Sequence, residues 1–285
     1  DHISNGRAAW NIVTSWNAAA AKNFGDDTQV SHAERYERAD EFLTVTKALW
    51  DSWGDGTVLD NRETGEYADM NKVRKVEHRG KYYSVEGALN MPRSPQGRPV
   101  LVQAGSSDTG KDFAARHAEA MFTAHLEQST ARDFYKDVKA RVRKAGRRED
   151  QALVLPGFSP ALASTEEAAI KYRDELNALT DVEVGRKRLS GRFGGYDFSH
   201  LPLDTPLSPD DFPDPETVEA ARSRTEVIVG LVRRERCTLR ALLATLAGAR
   251  GHYIFAGTPE QAADFMINWL NDGCADGFNV MPPVF

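Results

Sequence analysis

Short apolar runs alternate along the chain with longer segments whose apolar residues recur at three- and four-residue steps. The apolar runs lie at residues 9–14, 100–104, 120–124, 152–156 and 277–281. Runs of this length between turns are typical of strands that are buried on both faces of a parallel sheet. The pattern therefore predicts five parallel strands.

The longer segments predict amphipathic helices. The first begins at Ser31, which has the spacing of a capping box with Glu34, and it ends before Gly54. Further helices are predicted through His117, at residues 129–145, 165–179, 216–234 and 238–248, and from Pro259 onward. Strands that alternate with helices indicate parallel βαβ units. Such units fit an open doubly wound sheet or part of an eight-stranded barrel, and periodicity alone does not decide between them.

Two segments, 57–99 and 180–222, interrupt this pattern within a single domain of residues 1–285. The first is expected to hold short strands that turn at Gly80. The second is rich in glycine and proline, which predicts an irregular loop, and loops of this length are usually functional or mobile. We expect it to form a mobile lid over the substrate. Its cations, which would suit an anionic substrate, are Arg186, Lys187, Arg188 and Arg192.

The charge and the cysteine content exclude several classes of protein. A net charge of −6 does not provide the basic surface of a nucleic-acid-binding protein. Apolar runs fall well short of the roughly 20 residues that span a bilayer. Two cysteines cannot build a disulfide framework, and the seven histidines lack metal-ligand spacing. We therefore expect a cytoplasmic protein with no metal site and no nucleic-acid or membrane partner.

One candidate anion site lies at the start of the first helix. His32 and Tyr36 are four residues apart, so their side chains share one face at the positive end of the helix dipole. An imidazole and a phenol in this position can both donate hydrogen bonds to a phosphate. The alternative is that His32 is a solvated first-turn residue and that Tyr36 belongs to the core.

A second candidate anion site is the turn Gly105-Ser106-Ser107, between a strand and a helix. Glycine lets a ligand approach the backbone closely, and the Ser hydroxyls would lie beside free N–H groups. The alternative is an ordinary turn with a Ser N-cap. Both candidate sites would lie at the carboxyl ends of the strands, where barrel enzymes have their active sites.

Several strings of residues resemble the bacterial-luciferase-like flavin-dependent monooxygenases. The similarity is greatest to the group that contains nitrilotriacetate monooxygenase component A and dibenzothiophene-sulfone monooxygenase. The resemblance extends from end to end of the chain. The strings that carry it are residues 6–15 (GRAAWNIVTS), 32–42 (HAERYERADEF), 92–97 (PRSPQG), 103–107 (QAGSS) and 275–279 (ADGFN).

The resemblance implies a (β/α)8 TIM barrel of the luciferase-like type that binds reduced FMN at the carboxyl ends of its strands. It implies that a separate NAD(P)H-dependent flavin reductase supplies the FMN. Oxygen would add at flavin C4a, and the resulting peroxide or hydroperoxide would oxidise a small organic substrate. It also implies roles for individual residues. Asn11 and Thr14 match family positions near the isoalloxazine. The residues that match family positions holding the phosphate or ribityl end are His32, Tyr36, Gly105, Ser106 and Ser107.

The chain differs from the family pattern in extent, because about three βα units precede the position of Asp1 in family members. We therefore expect a fragment of a longer barrel protein, which forms a homodimer or homotetramer. No side chain is an evident catalytic acid or base. Two alternatives stay open, a deazaflavin-dependent oxidoreductase of the same superfamily and a truncated, non-catalytic flavin-binding relative.

Overall fold

Strands and helices alternate along the chain in the computed structural model, which describes residues 1–15, 18–25, 27–218, 222–249 and 252–283. The strands are β1 (Ala9–Asn11), β2 (Val58–Asn61), β3 (Glu66–Ala68), β4 (His78–Arg79), β5 (Ser84–Val85), β6 (Val100–Gln103), β7 (Ala120–Thr123), β8 (Leu153–Leu162), β9 (Tyr253–Gly257) and β10 (Asn279–Val280). The helices are α1 (Ala18–Asn23), α2 (His32–Trp50), α3 (Asp108–His117), α4 (Gln128–Lys144), α5 (Glu166–Ala178), α6 (Val182–Arg192), α7 (Arg222–Glu235), α8 (Leu239–Ala249) and α9 (Pro259–Asn271). No helix in these segments is both long and apolar enough to cross a bilayer.

The main sheet is parallel, as the sequence predicts. Its hydrogen-bonded order is β1, β6, β7, β8 and β10, and β9 also pairs with β8. The strand predicted at 152–156 extends to Leu162, because its second half pairs with β9 from Phe158 to Leu162. The sequence prediction missed β9, in which four of the five residues are only half-buried.

Packing on the first strands fixes the positions of α2 and α3. Leu43 of α2, Leu101 of β6 and Phe113 of α3 form one apolar cluster and are almost completely buried. Ile12, which follows β1, belongs to the same cluster. The start of α2 and the start of α3 are therefore held beside the carboxyl ends of β1 and β6.

Residues 57–99 form two small antiparallel sheets outside the main sheet, β2 with β3 and β4 with β5. The β4–β5 hairpin is anchored to α2 by one carboxylate. Glu41 accepts hydrogen bonds from the backbone N–H groups of Tyr82 and Tyr83, at 3.0 and 2.8 Å. Its other contact is with Nε2 of His78, at 3.0 Å. These bonds fix the hairpin to the helix.

The expectation that residues 180–222 are irregular is wrong. Helix α6 occupies the first part, and Asp181 caps it by accepting a hydrogen bond from the Val184 N–H at 2.9 Å. After α6 the chain returns to a core, in which Phe193, Phe198 and Phe212 are buried. These aromatic side chains supply the apolar area that the glycines and prolines do not. Residues 219–221, at the end of the segment, lie outside the described residues.

Candidate functional site

The amino-terminal ends of α2 and α3 meet through two side chains. Nε2 of His32, the first residue of α2, lies 3.3 Å from the hydroxyl of Ser107. Ser107 is the N-cap of α3, and its hydroxyl accepts a hydrogen bond from the Gly110 N–H at 3.2 Å. The two candidate anion sites of the sequence are therefore one site in the structure.

Tyr36 is a buried residue whose hydroxyl lies over the Gly105 turn. Its ring contacts those of His32 and Phe113, with centroids 4.9 and 5.6 Å away. A Cβ placed on Gly105 or on Gly110 would lie 2.6 or 2.9 Å from the Tyr36 hydroxyl oxygen. Tyr36 is thus a core residue that also lines the candidate site.

Gln103, at the end of β6, fixes the shape of the turn. Its Oε1 accepts hydrogen bonds from the N–H groups of Ala104 and Gly105, at 2.5 and 3.0 Å. Its Nε2 donates to the Ile12 carbonyl at 3.3 Å. The side chain is only 1% exposed, so it ties the turn to the chain that follows β1. The sequence offered one signal for this role, a polar residue that closes an apolar strand.

The turn leaves several hydrogen-bond donors available to an anion. In the described part of the chain, no acceptor takes the backbone N–H groups of residues 106–109. These groups lie at the start of a ten-residue helix, where the dipole favours negative charge. The donor set fits a phosphate group, and we call it the anion cradle. It consists of His32, Tyr36, Gly105, Ser106 and Ser107.

The His32 imidazole is exposed on one side. Partial desolvation, together with the positive charge of Arg35, lowers the pKa of His32 below its ordinary value. The ring is therefore mainly neutral near pH 7 and can donate one hydrogen bond. A bound anion would favour the protonated ring, so binding of a phosphate would be coupled to proton uptake.

Asn11 and Thr14 lie at the end of β1 and just beyond it. Asn11 is the last residue of β1, the strand that pairs with β6, and it is exposed. Thr14 is half-buried three residues further on. Within the described ranges, no hydrogen bond connects either side chain to the cradle. Their predicted contact with an isoalloxazine ring stays a prediction.

A cavity of about 340 Å³ adjoins the cradle at Ala104 and Ser106. His125 and His252 also line it, and we call it the histidine cavity. The two ring nitrogens of His125 lie 2.9 and 3.3 Å from the hydroxyls of Thr123 and Thr130. Burial, and secondarily the charge of His252, lower the pKa of His125 to about 4. His125 is therefore neutral at physiological pH.

His252 stacks on Phe122, with ring centroids 4.8 Å apart. It occupies the space beside Gly157, where a Cβ would clash with the imidazole. Neither histidine is among the candidate site residues predicted from the sequence. For His125 a signal existed, because it follows β7 directly at the carboxyl edge of the sheet.

A second cavity, of about 600 Å³, lies among α5, α6, α8 and β8. Three guanidinium groups line it, those of Arg173, Arg188 and Arg192, and we call it the arginine cavity. Arg192 also borders the histidine cavity. Only two of the four cations singled out in the sequence line this space. Arg186 instead donates hydrogen bonds to the carbonyls of Phe198 and Leu201.

The titratable residues do not form a metal centre in the described ranges. No group of three His, Cys, Asp or Glu side chains there is arranged to hold a metal ion.

Comparison with known proteins gives one family and several named relatives. The family model described as luciferase-like monooxygenase matches residues 1–275. N-acetyl-S-(2-succino)cysteine monooxygenase of Bacillus subtilis (strain 168) is 44% identical over 284 residues, covering 100% of this chain and 64% of that protein. Nitrilotriacetate monooxygenase component A of Aminobacter aminovorans is 46% identical over 284 residues, covering 99% and 62%.

The fold is similar to a solved structure as well. The crystal structure of DmoA from Hyphomicrobium sulfonivorans aligns with a TM-score of 0.85 and 32% identity, covering 99% of this chain and 59% of that one. The chain therefore spans about 60% of the length of these relatives.

Proposed function

The chain belongs to the luciferase-like monooxygenase family, and from this membership we propose that it acts in a two-component FMN-dependent monooxygenase. The α/β fold with a parallel sheet, expected from the family resemblance, is confirmed. The observation that carries the proposal is the contact between His32 and Ser107, at 3.3 Å, which joins two helix amino termini into one phosphate-sized cradle.

The proposed role of the cradle is to hold the FMN phosphate. Ser107 and the N–H groups of residues 106–109 would donate to the phosphate oxygens, and His32 would add a hydrogen bond or a positive charge. Tyr36 helps to fix the shape of the turn, because its hydroxyl occupies the space above Gly105. Asn11 and Thr14 are proposed to lie near the isoalloxazine. When bound in its reduced form, FMN supplies the activation of O2.

The protein's own contribution to the proposed reaction is positioning and exclusion of water. The histidine cavity adjoins the cradle at Ser106, and its lining combines apolar side chains such as Phe122 and Phe134 with charged ones, those of Glu127, Arg192, Glu226 and Arg234. His125, which is neutral, provides a hydrogen-bonding wall without a charge that would retain water.

A separate NAD(P)H-dependent flavin reductase is the proposed partner. Support comes from a relative whose name describes it as one component of a monooxygenase. The substrate is proposed to be a small organic anion, since both named relatives act on carboxylate-bearing compounds. The level of sequence identity to the two named monooxygenases favours this function over a deazaflavin-dependent one. That identity extends over the whole chain.

Anaerobic titration with reduced FMN tests the proposal. We expect saturable binding of one FMN per chain, and rapid mixing of the complex with oxygenated buffer should produce a flavin absorbance change that free FMN does not show. The titration should be repeated with riboflavin, which lacks the phosphate. Equal affinity for FMN and riboflavin would contradict the binding of the phosphate by the cradle. Absence of any flavin binding would contradict the proposed function.

A further inference from the structure

The arginine cavity is an electropositive space in an acidic protein. The chain carries a net charge of −6, yet the described residues that line this cavity include three guanidinium groups and one carboxylate, that of Asp181. The Asp181 carboxylate already accepts a hydrogen bond from the Val184 N–H, at the positive end of α6. The helix cap therefore partly neutralises the negative charge of Asp181, and positive side chains predominate in the described lining of the cavity.

The three arginines differ in how firmly they are held. Arg173 forms an ion pair with Asp174 at 2.9 Å, so its charge is partly compensated. Arg188 is different, because no ion pair or hydrogen bond holds its side chain anywhere in the described ranges. Its exposed guanidinium is at the rim of the cavity and can turn toward a ligand. A planar guanidinium in this position is suited to bidentate binding of a carboxylate.

The remaining wall is apolar. Leu176 of α5, Leu189 of α6 and Leu243 of α8 face the same space. A cavity of about 600 Å³ is within the usual size of small-molecule sites, which combine an apolar lining with a few fixed polar groups. The combination suits a compact organic molecule that carries more than one carboxylate on a short aliphatic body.

Arg192 connects this cavity to the anion cradle. It borders both the arginine cavity and the histidine cavity, and the histidine cavity reaches Ser106 of the cradle. A ligand held by Arg188 and Arg192 would therefore extend from the arginine cavity toward the place where the flavin is proposed to bind. We propose that the arginine cavity is the specificity site for a small polycarboxylate substrate, with Arg188 and Arg192 as its carboxylate ligands. This assignment rests on the proposed monooxygenase function.

Calorimetric titration of the full chain with tricarballylate (propane-1,2,3-tricarboxylate), in the absence of flavin, tests the site. The variants are Arg188→Gln and Arg192→Gln, and the matched control is Lys187→Gln. Lys187 is an exposed cation on the same helix that does not line the cavity. Arg188→Lys, which keeps the charge but not the bidentate geometry, is the conservative variant. The neutral trimethyl ester of the same acid is the control ligand.

We expect Arg188→Gln and Arg192→Gln each to raise the dissociation constant roughly tenfold or more, as for a lost charge-assisted hydrogen bond. Arg188→Lys should have an intermediate effect, and Lys187→Gln should change the constant less than about twofold, as for a distant surface charge. The ester should bind equally weakly to all forms. The site is overturned if the parent chain does not bind tricarballylate, or if Lys187→Gln weakens binding as much as Arg188→Gln.

The design separates this inference from the proposed function. Because no flavin is present, a chain that fails to bind reduced FMN can still show arginine-dependent binding of tricarballylate. That result would contradict the proposed monooxygenase function and would support the carboxylate site. Conversely, FMN binding without arginine-dependent tricarballylate binding would remove only the substrate site. Circular dichroism of each variant shows whether it is folded, and a variant that does not fold is replaced by its Lys counterpart.

Discussion

The Tyr36 hydroxyl lies so close over Gly105 that a Cβ on Gly105 would be 2.6 Å from its oxygen. A buried side chain of α2 therefore determines which residue the turn after β6 can accept. The same turn carries the N–H groups of the anion cradle. Packing between the two elements and the proposed phosphate binding thus depend on one steric relationship.

Gly105→Ala should disturb this relationship. The added methyl group must displace the Tyr36 ring or the turn, and overpacking of this kind costs about 1–3 kcal/mol of unfolding free energy. Urea denaturation measures the loss. The control is Gly191→Ala in α6, where a Cβ meets no atom within 4 Å and a helical alanine is favoured.

The double variant Gly105→Ala, Tyr36→Phe provides a stricter test. Removing the hydroxyl creates room for the methyl group, so the two substitutions together should cost less than the sum of their separate effects. Additive losses would show that Tyr36 and Gly105 are not coupled in the way the structure indicates.

Ser107→Ala should weaken both α3 and the binding of reduced FMN. Loss of the N-cap costs about 1 kcal/mol of stability, and loss of a bond to the phosphate costs about 1–3 kcal/mol of binding. Thr165→Ala is the matched control, because Thr165 caps α5 by the same hydrogen bond, from Ala168, away from the cradle. It should lose similar stability and no FMN affinity. Equal FMN affinity in the two variants would count against the placement of the phosphate.

The two parts of the candidate site could be recognised in the sequence because each depends on local signals. Ser31 and Ser107 cap helices, and Gly105 lies directly after an apolar run, so a short window of residues was enough. The histidine cavity could not be predicted in this way. It depends on Gly157, which leaves room for the ring of His252, and these residues are far apart in the chain. Periodicity contains no information on such contacts.

Residues 180–222 show the opposite error. Glycine and proline content predicted an irregular segment, but Gly194 and Gly195 adopt positive φ, at 67° and 94°, just after α6. The predicted role of the segment as a lid stays a prediction. The two glycines allow the chain to turn back toward its own core instead of preventing a fold. The aromatic residues that follow carried the relevant signal, because buried aromatic side chains contribute much of the apolar area of a core.

His125 should make stability depend on pH. Its pKa is about 4 in the folded protein, below the ordinary value of 6.5 that we assign to the unfolded chain. The unfolded chain therefore binds a proton between these values that the folded protein does not bind. The stability contribution of the neutral ring is complete above about pH 6.5 and is lost as the pH falls toward 4, by roughly 3 kcal/mol in total.

Urea denaturation at pH 7 and pH 5 measures this effect. His125→Gln keeps a polar side chain but cannot titrate, so its unfolding free energy should fall less between the two pH values than that of the parent chain. His200→Gln, at an exposed histidine, is the control for the replacement of a histidine by glutamine. The same pH dependence in all three proteins would contradict the assignment to His125.

Phe198→Ala should destabilise the whole protein. Its side chain is 1% exposed and lies 5.4 Å from the Phe193 ring and 5.3 Å from the Phe212 ring. Removing a buried phenyl group costs about 3–5 kcal/mol. Tyr67→Ala, at an aromatic residue that is 57% exposed, should cost less than about 1 kcal/mol. If Phe198 belonged to a mobile lid, its replacement would leave the thermal unfolding midpoint unchanged.

The chain should not oxidise NADH by itself. The sequence contains no glycine-rich dinucleotide loop, and the proposed function assigns flavin reduction to a separate reductase. Anaerobic stopped-flow mixing of NADH or NADPH with the protein and oxidised FMN should show loss of flavin absorbance no faster than with free FMN. Addition of a flavin reductase should then reduce the FMN at a rate set by the reductase concentration. The Ser107→Ala variant serves as an internal check, since weaker binding should leave more free FMN without changing the reductase rate per free flavin. Rapid reduction by the chain alone would show a nicotinamide site within these residues and would replace the two-component proposal with a one-component enzyme.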